Sequence, residues 1–561
     1  MMGQCASGAQ NAFAFASAVK SGRMPDVSTL TYQGVFNEHF FYAGQPAQAM
    51  LEANSFPIVG KDGTQWLAIY LKSVLDGRPR DATPIDLSVV IDISGSMGAG
   101  MAYSEESRCR SRLDCAKQAV AWLVREVLRA DDRIALSLFN TEGHRIHNLT
   151  QIDQMDKDEW LQACDAIRKN GGTTLSAGMT VGREAFGTEA EDGSSSGRAR
   201  RILFLTDMAE MGATELGEQI ARYAAEDVFV SIVGMGVEFN AELTETVTKN
   251  KGSIYSSATS AEELREIIVS DFDVNSFPAA FDVELSIRSG DLKVDAVYGT
   301  PFDHHDRPDP TLTWSEEHHS LHTPHARAAA EALVNSGSNT SAQGSAQALS
   351  SAIRAALPPD CVAKVLGELE PPKQSVTEVN TFFPGHVTLG CIKGGLVLVR
   401  LASLPGAQAP LSRSLQLSLQ YSDRAGTAHV QTDTVGFETA YQAGSFAWEG
   451  DDEADGRLAR GLEKGLLLQR YVEICRAHLE LAHAWNPETH DAEQTCATLS
   501  ERLGEVMTAL EDERVRAREK EAGREEEDKV RESMEKFVEN FGKAIGRQLE
   551  GGGWGGRPGG Q

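Results

Sequence analysis

Residues 85–97 read IDLSVVIDISGSM, and the order of events within them decides the fold class. A short apolar run ends in a carboxylate, Asp92, and the chain then turns through residues that carry hydroxyls, Ser94 and Ser96. The pattern around this stretch repeats the same grammar. Apolar runs RIALSLFN (133–140), RRILFLTD (200–207) and VFVSIVGMG (228–236) alternate with helical text, including RLDCAKQAVAWLVREVL (112–128), DEWLQACDAIRK (158–169), LSAGMTVGREAF (175–186), GEQIARYAAE (217–226) and AELTETVTKN (241–250). A run such as VFVSIVGMG is apolar on both faces, which suits a central parallel strand covered by helices on each side. Repeated βα units of this kind predict an α/β fold with a doubly wound, mainly parallel sheet over about residues 84–272. Such sheets bind ligands beyond the carboxyl ends of their strands. The stretch EAEDGSSSGRA (189–199) reads as an exposed loop interrupting the series.

Outside this segment the text changes. LTYQGVF (30–36), HFFYAG (39–44) and QWLAIYLKSVL (65–75) are aromatic and β-branched and predict strands over 27–83. Strand-like text resumes at FDVELSI (281–287) and LKVDAVYG (292–299), and again at TFFPGHVTLGCIKGGLVLVRLAS (381–403) and LQLSLQYSD (415–423). We read these as a β-sandwich split by the α/β segment, with the N-terminal strands of 27–83 pairing against the later ones of 276–450; a contiguous sandwich over 276–450 is the competing arrangement. Residues 303–350, rich in His, Ser, Ala and Gln, predict a mobile surface loop. Residues 1–26 lack periodicity and predict a disordered leader.

Residues 456–550 predict a helical region. Leu458, Leu462, Leu466, Tyr471, Cys475, Leu479 and Ala482 recur at helical spacing, and Pro487 stops that helix. A second stripe, Leu499 to Leu510, runs into the charge-rich stretch 511–529, which reads as a solvated helix with coiled-coil character as the alternative. The stripe returns from Val530 to Leu549, ahead of a Gly-rich tail at 551–561. Surfaces of this kind predict helix-mediated self-association.

The chain has 561 residues, with 81 acidic against 53 basic, a formal charge of -28. That balance, without a basic patch, argues against nucleic acid and anionic lipid as partners. The eight cysteines are widely spaced with no C-x-x-C, so reduced thiols and a cytoplasmic setting are expected. No run of eighteen apolar residues exists. From Met2 the chain reads MGQCAS, which fits an acylation pattern on Gly3 with Cys5 as a second site; membrane contact is expected only if both are lipidated. Initiation at Met1 leaves Gly3 internal and is the simpler reading.

Three segments carry the chemistry. Asp92, Ser94 and Ser96 follow the first parallel strand, Gly171-Gly172-Thr173-Thr174 opens a helix, and RRILFLTD delivers Asp207 to the same sheet edge. Five oxygen donors without His or Cys suit a hard cation, Mg2+ first, with Mn2+ or Ca2+ as alternatives. The hydroxyls are neutral, so a cation they hold keeps much of its charge, and an incoming carboxylate completes its shell.

DISGSM (92–97), GGTTLSAGM (171–179) and ILFLTD (202–207), in that order and each at a strand end, resemble the metal-ion-dependent adhesion site of von Willebrand factor A domains. The resemblance implies that Ser94, Ser96 and Thr173 bind the metal directly and that Asp92 and Asp207 act mainly through water. It also implies a protein partner presenting Asp or Glu. Many relatives have Gly after the last aspartate; this chain has Met208 there, which bears on how a ligand approaches. Segments 234–273, 394–401 and 466–475 resemble a group of proteins in which the A domain accompanies a β-sandwich and a helical tail, and the core is similar to that of plant RING ubiquitin ligases, although no paired-cysteine RING is present.

Two rival readings are weaker. His304, His305, His318, His319, His322 and His325, with Asp303 and Asp306, match no compact zinc spacing. A serine-type hydrolase acting through Ser94 or Ser96 lacks a G-x-S-x-G elbow, and no G-x-x-x-x-G-K-[ST] phosphate loop exists. A non-enzymatic interaction protein is the expectation, with a lipid-anchored scaffold as the alternative.

Overall fold

A computed structural model of the chain describes residues 15, 27, 30–80, 83–101, 111–187, 197–207, 213–236, 247, 249–300, 373–388, 390–404, 413–443, 454–483, 492–516, 536 and 537. The first elements are helix α1 (Tyr32–Glu38) and strands β1 (Phe40–Phe41), β2 (Glu52–Val59) and β3 (Gln65–Lys72). Next come β4 (Ile85–Asp92), α2 (Arg112–Trp122), β5 (Arg133–Phe139), β6 (Gly143–Gln151), α3 (Lys157–Asp165), α4 (Leu175–Glu184), β7 (Ala199–Thr206), α5 (Ala213–Ala225), β8 (Val228–Met235), β9 (Ile254–Ala258), α6 (Ala261–Arg265) and α7 (Phe272–Ser276). The chain continues through β10 (Ala280–Arg288), β11 (Leu292–Tyr298), β12 (Lys373–Phe382), β13 (Val387–Thr388), β14 (Cys391–Lys393), β15 (Leu396–Ser403), β16 (Ser414–Ser422), β17 (Ala428–Gly436) and β18 (Tyr441–Gln442), and then through helices α8 (Ala454–His483) and α9 (Ala492–Arg516).

Strands β4 to β9 form one six-stranded sheet in the order β6-β5-β4-β7-β8-β9. All neighbours run parallel except β6, which closes the edge antiparallel to β5. This is the doubly wound order, and its direction reverses between β4 and β7, so a crevice opens at the carboxyl ends of those two strands. Every residue of β4 is buried, as a strand covered on both faces must be. Leu87, Val89 and Ile91 point into one core with α2 and α6, while Val90 points into the other with α4 and α5. Each such side chain removed from water contributes roughly 1.5–3 kcal/mol.

The other strands are mostly antiparallel. One sheet has the order β12-β10-β16-β17 and another β11-β15-β3-β2-β18. Strand β3 lies between β2 and β15, with Gln65 opposite Leu401, so the chain leaves this sheet, builds the parallel one, and returns. Leu67 and Leu398 of the second sheet share one core with Leu285 and Leu417 of the first, and Leu468, Tyr471 and Leu479 of α8 join it.

One sequence expectation is corrected. LTYQGVF is not a strand: α1 covers most of it, because the Thr31 hydroxyl accepts from Gly34 N at 3.0 Å and caps the helix. Tyr32, Val35 and Phe36 then fall on one buried face. The next segment, HFFYAG, supplies only the two-residue β1. Several expectations lie outside the described residues: the leader with Gly3 and Cys5, the residue Met208, the histidine-rich segment 303–350, the stretch 517–535, and the tail 551–561. Among the described residues no helix is long and apolar enough to cross a membrane.

Candidate metal centre

Asp92 ends β4 and is fully buried. Its Oδ1 accepts from Ser94 N at 2.7 Å, a short side-chain-to-backbone bond that turns the chain out of the strand. Its Oδ2 accepts from Thr206 Oγ1, also at 2.7 Å, across to the last residue of β7. Burial pushes the Asp92 carboxyl above its ordinary range; the bonds from Ser94 and Thr206 oppose this, and nearby Asp207 adds to it.

The turn that follows sets two hydroxyls side by side. Ser94 Oγ lies 3.0 Å from Ser96 Oγ, with Ser94 buried and Ser96 half-buried. The third segment is tied to this turn by backbone: Asn170 N donates to Ile93 O at 2.6 Å, and Gly95 N donates to Gly171 O at 3.1 Å. Gly171 adopts φ +81°, a conformation that favours glycine. Half-buried Thr173 follows it, just ahead of α4. That helix sits unusually close to the sheet, because a Cβ on Gly178 would meet Phe139 at 2.7 Å and Phe204 at 2.8 Å. The close seat brings the start of α4 to the carboxyl ends of β4, β5 and β7.

Asp207 follows β7 directly and its side chain has no exposure. Oδ2 accepts from Arg112 Nη1 at 2.8 Å, whereas Oδ1 has no hydrogen-bond partner among the described residues. An unsatisfied buried carboxylate oxygen costs on the order of 1–3 kcal/mol, so a protein that keeps one has a reason to. Among the described residues no group of three or more His, Cys, Asp or Glu is placed to hold a metal ion. Any cation here has to be held by two carboxylates and neutral hydroxyls, a donor set that fits a hard ion and not a soft one.

The three sequence segments therefore meet at one edge, with Asp92, Ser94 and Ser96 on the first turn, Thr173 on the second, and Asp207 on the third. Sequence reasoning missed two participants. Thr206 was hidden because nothing local distinguishes it from any strand-end threonine. Arg112 left a faint signal: it is the first residue of α2, where a cation opposes the helix dipole and so asks for another explanation.

Comparison with known proteins bears on this edge. A family model for the von Willebrand factor type A domain matches residues 87–212, a span containing all three segments. No curated protein matches the chain. Among solved structures the chain is similar to a von Willebrand factor type A protein from Catenulispora acidiphila, at 11% identity and TM-score 0.42, over 84% of this chain and 91% of that one. It is similar also to the ArnB paralog VWA2 from Sulfolobus acidocaldarius, at 12% identity and TM-score 0.36, over 88% and 97%. A third is proximal thread matrix protein 1 from the mussel byssus with a zinc-occupied MIDAS motif, at 15% identity and TM-score 0.26, over 33% and 44%. With the family match falling on the very strands whose order and ends build this edge, residues 87–212 are a von Willebrand factor type A domain, a fold that generally serves as a protein-interaction module.

Proposed function

We propose that this domain holds a divalent cation, Mg2+ in preference to Mn2+ or Ca2+, and through it binds an Asp or Glu side chain on a partner protein. Ser94, Ser96 and Thr173 are the direct ligands, and Asp92 and Asp207 hold the ion mainly through water. When bound, the cation supplies an electrophilic coordination position for a carboxylate oxygen. The chain's own residues do the rest. Thr206 and the Ser94 amide fix the Asp92 carboxylate, and the backbone bonds between 93–95 and 170–171 fix the spacing of the hydroxyls. The observation that carries this reading is Asp207 Oδ1, buried and without a hydrogen-bond partner among the described residues, at the sheet edge whose first turn sets the Ser94 and Ser96 hydroxyls side by side.

The protein on this reading is a cytoplasmic, non-enzymatic scaffold, in which an accompanying β-sandwich and the helices after it frame the interaction face. Calorimetry of the full chain with MgCl2 and MnCl2, followed by titration with a peptide bearing one exposed aspartate, tests it. Cation uptake is expected, with peptide binding that vanishes on chelation or when the aspartate is asparagine. Absence of cation uptake, with and without the peptide, defeats the reading.

A further inference from the structure

Arg112 reaches into the candidate site through Asp207. Its Nη1 is 2.8 Å from Asp207 Oδ2, and the two side chains are 9% and 0% exposed. It is held from the far side by an absence. Gly236, directly after β8, adopts φ +114°, and a Cβ there would lie 2.7 Å from Arg112 Nη2 and 2.8 Å from both Cζ and Nε. The guanidinium thus lies against bare backbone, and that backbone is itself anchored, with Gly236 N donating to Ala258 O at 2.9 Å. Arg112 N donates to Ala99 O at 2.8 Å, so the helix start that carries the arginine is tied to the chain leaving the serine turn.

Charge arithmetic gives this placement a role. Asp92 and Asp207 bring two negative charges, and Arg112 returns one positive, leaving the set at -1. A dication then makes the loaded site +1. Without the arginine these groups and the dication sum to zero, and the pull on a carboxylate is weaker. Resting on the reading of a cation at this edge, we propose that Arg112 sets the charge of the site: it loosens the hold on the cation and, in exchange, keeps the loaded site positive enough to favour an acidic ligand.

A competing effect has to be weighed. Groups behind a ligand usually strengthen metal binding by orienting it and raising its basicity. A guanidinium does the reverse to basicity, and Asp207 is already fixed by its strand end, so the Coulomb contribution outweighs the orienting one. Arg112 acts through Asp207 and is a positioning residue in that sense.

The test uses the full chain as wild type, Arg112→Gln and Arg112→Lys, titrated first with Mn2+ and then, at saturating Mn2+, with the single-aspartate peptide. Arg112→Gln is expected to bind Mn2+ roughly tenfold more tightly and the peptide roughly tenfold more weakly, the size expected for one charge near a partly screened site. Arg112→Lys, which keeps the charge, is expected to stay within about threefold of wild type in both. Opposite signs are the signature, since a merely structural role weakens both. If Arg112→Gln is too unstable for calorimetry, the dependence of its Tm on Mn2+ reports the same affinity. Weakening of both affinities, or change in neither, with wild type binding normally, overturns the inference alone. Failure of wild type to take up Mn2+ at all removes the underlying reading instead.

Discussion

The two edges of the parallel sheet bury the same kind of group and treat it in opposite ways. At the amino edge, Asp86 and Asp132 have every carboxylate oxygen bonded. Asp86 Oδ1 accepts from Arg133 Nε at 2.8 Å and Arg198 Nε at 2.6 Å, and its Oδ2 pairs with Arg133 Nη2. Asp132 takes both oxygens of its carboxylate to Arg80 and also accepts from Ile85 N and Arg129 N. At the carboxyl edge Asp92 is held by the Ser94 amide and the Thr206 hydroxyl, Asp207 takes Arg112 on one oxygen, and its other oxygen has no hydrogen-bond partner among the described residues. A single strand, β4, carries a buried aspartate near each end, Asp86 and Asp92, while the bare oxygen belongs to Asp207 on the neighbouring strand end. The difference separates buried charge that fastens a structure, where nothing is left to react, from buried charge kept available for something else.

The sharpest way to break this comparison is at the amino edge. Asp132→Ala removes both of its bonds to the buried Arg80, leaving that arginine the partly exposed Asp273, and is expected to cost about 3 kcal/mol in urea unfolding, while leaving cation affinity where it was. Asp207→Asn should do the converse. It retains an acceptor for Arg112, so unfolding stability moves by about 1 kcal/mol, whereas cation affinity measured by calorimetry falls on the order of a hundredfold, about 2.7 kcal/mol. A loss of stability as large as that of Asp132→Ala would erase the distinction between the edges.

Gly236→Ala sharpens the comparison from the arginine's side. Its Cβ meets the guanidinium and its φ is unsuited to alanine, so destabilisation of about 1–3 kcal/mol is expected in the same unfolding measurement. The smallest effect concerns an intermediate case. Asp76 accepts from the amides of Ser73 and Gly385, yet burial dominates and raises its carboxyl from 3.8 to about 6. A folded value above the unfolded one means that its ionised form costs stability at neutral pH, a cost relieved as pH falls from above 6 toward 3.8. Because Asp76 is only half-buried, wild type is expected to gain about 1 kcal/mol relative to Asp76→Asn between pH 7 and pH 5. A flat difference across that window would place Asp76 with the fastened carboxylates.

The sheet edge was readable in the sequence because Asp92, Ser94, Ser96 and Asp207 follow apolar runs, and such runs need no partner to be recognised. Thr173 stands ahead of a helix instead, and only the Gly-Gly-Thr-Thr opening pointed to it. What escaped was tertiary. Thr206 and Arg112 matter through atoms contributed by other segments. The strands β6 and β17 have a single buried residue between them, and GHRIHNLTQ and AHVQTDTVG carry no continuous apolar run to betray them. In α1, composition pointed one way and a single cap the other: Tyr, Val and Phe favour strands, yet Thr31 and the burial of one face settled on a helix.

The long return of the chain to β3 has a consequence for how the protein comes into being. Gln65 must wait for Leu401, its neighbour in the register, so during synthesis the early strands stay without their partner until some 330 further residues have emerged. The von Willebrand unit is finished well before then and is able to fold first, holding the two distant halves of the antiparallel sheet near one another. Once folded, it shortens the span of free chain that those halves must close to meet.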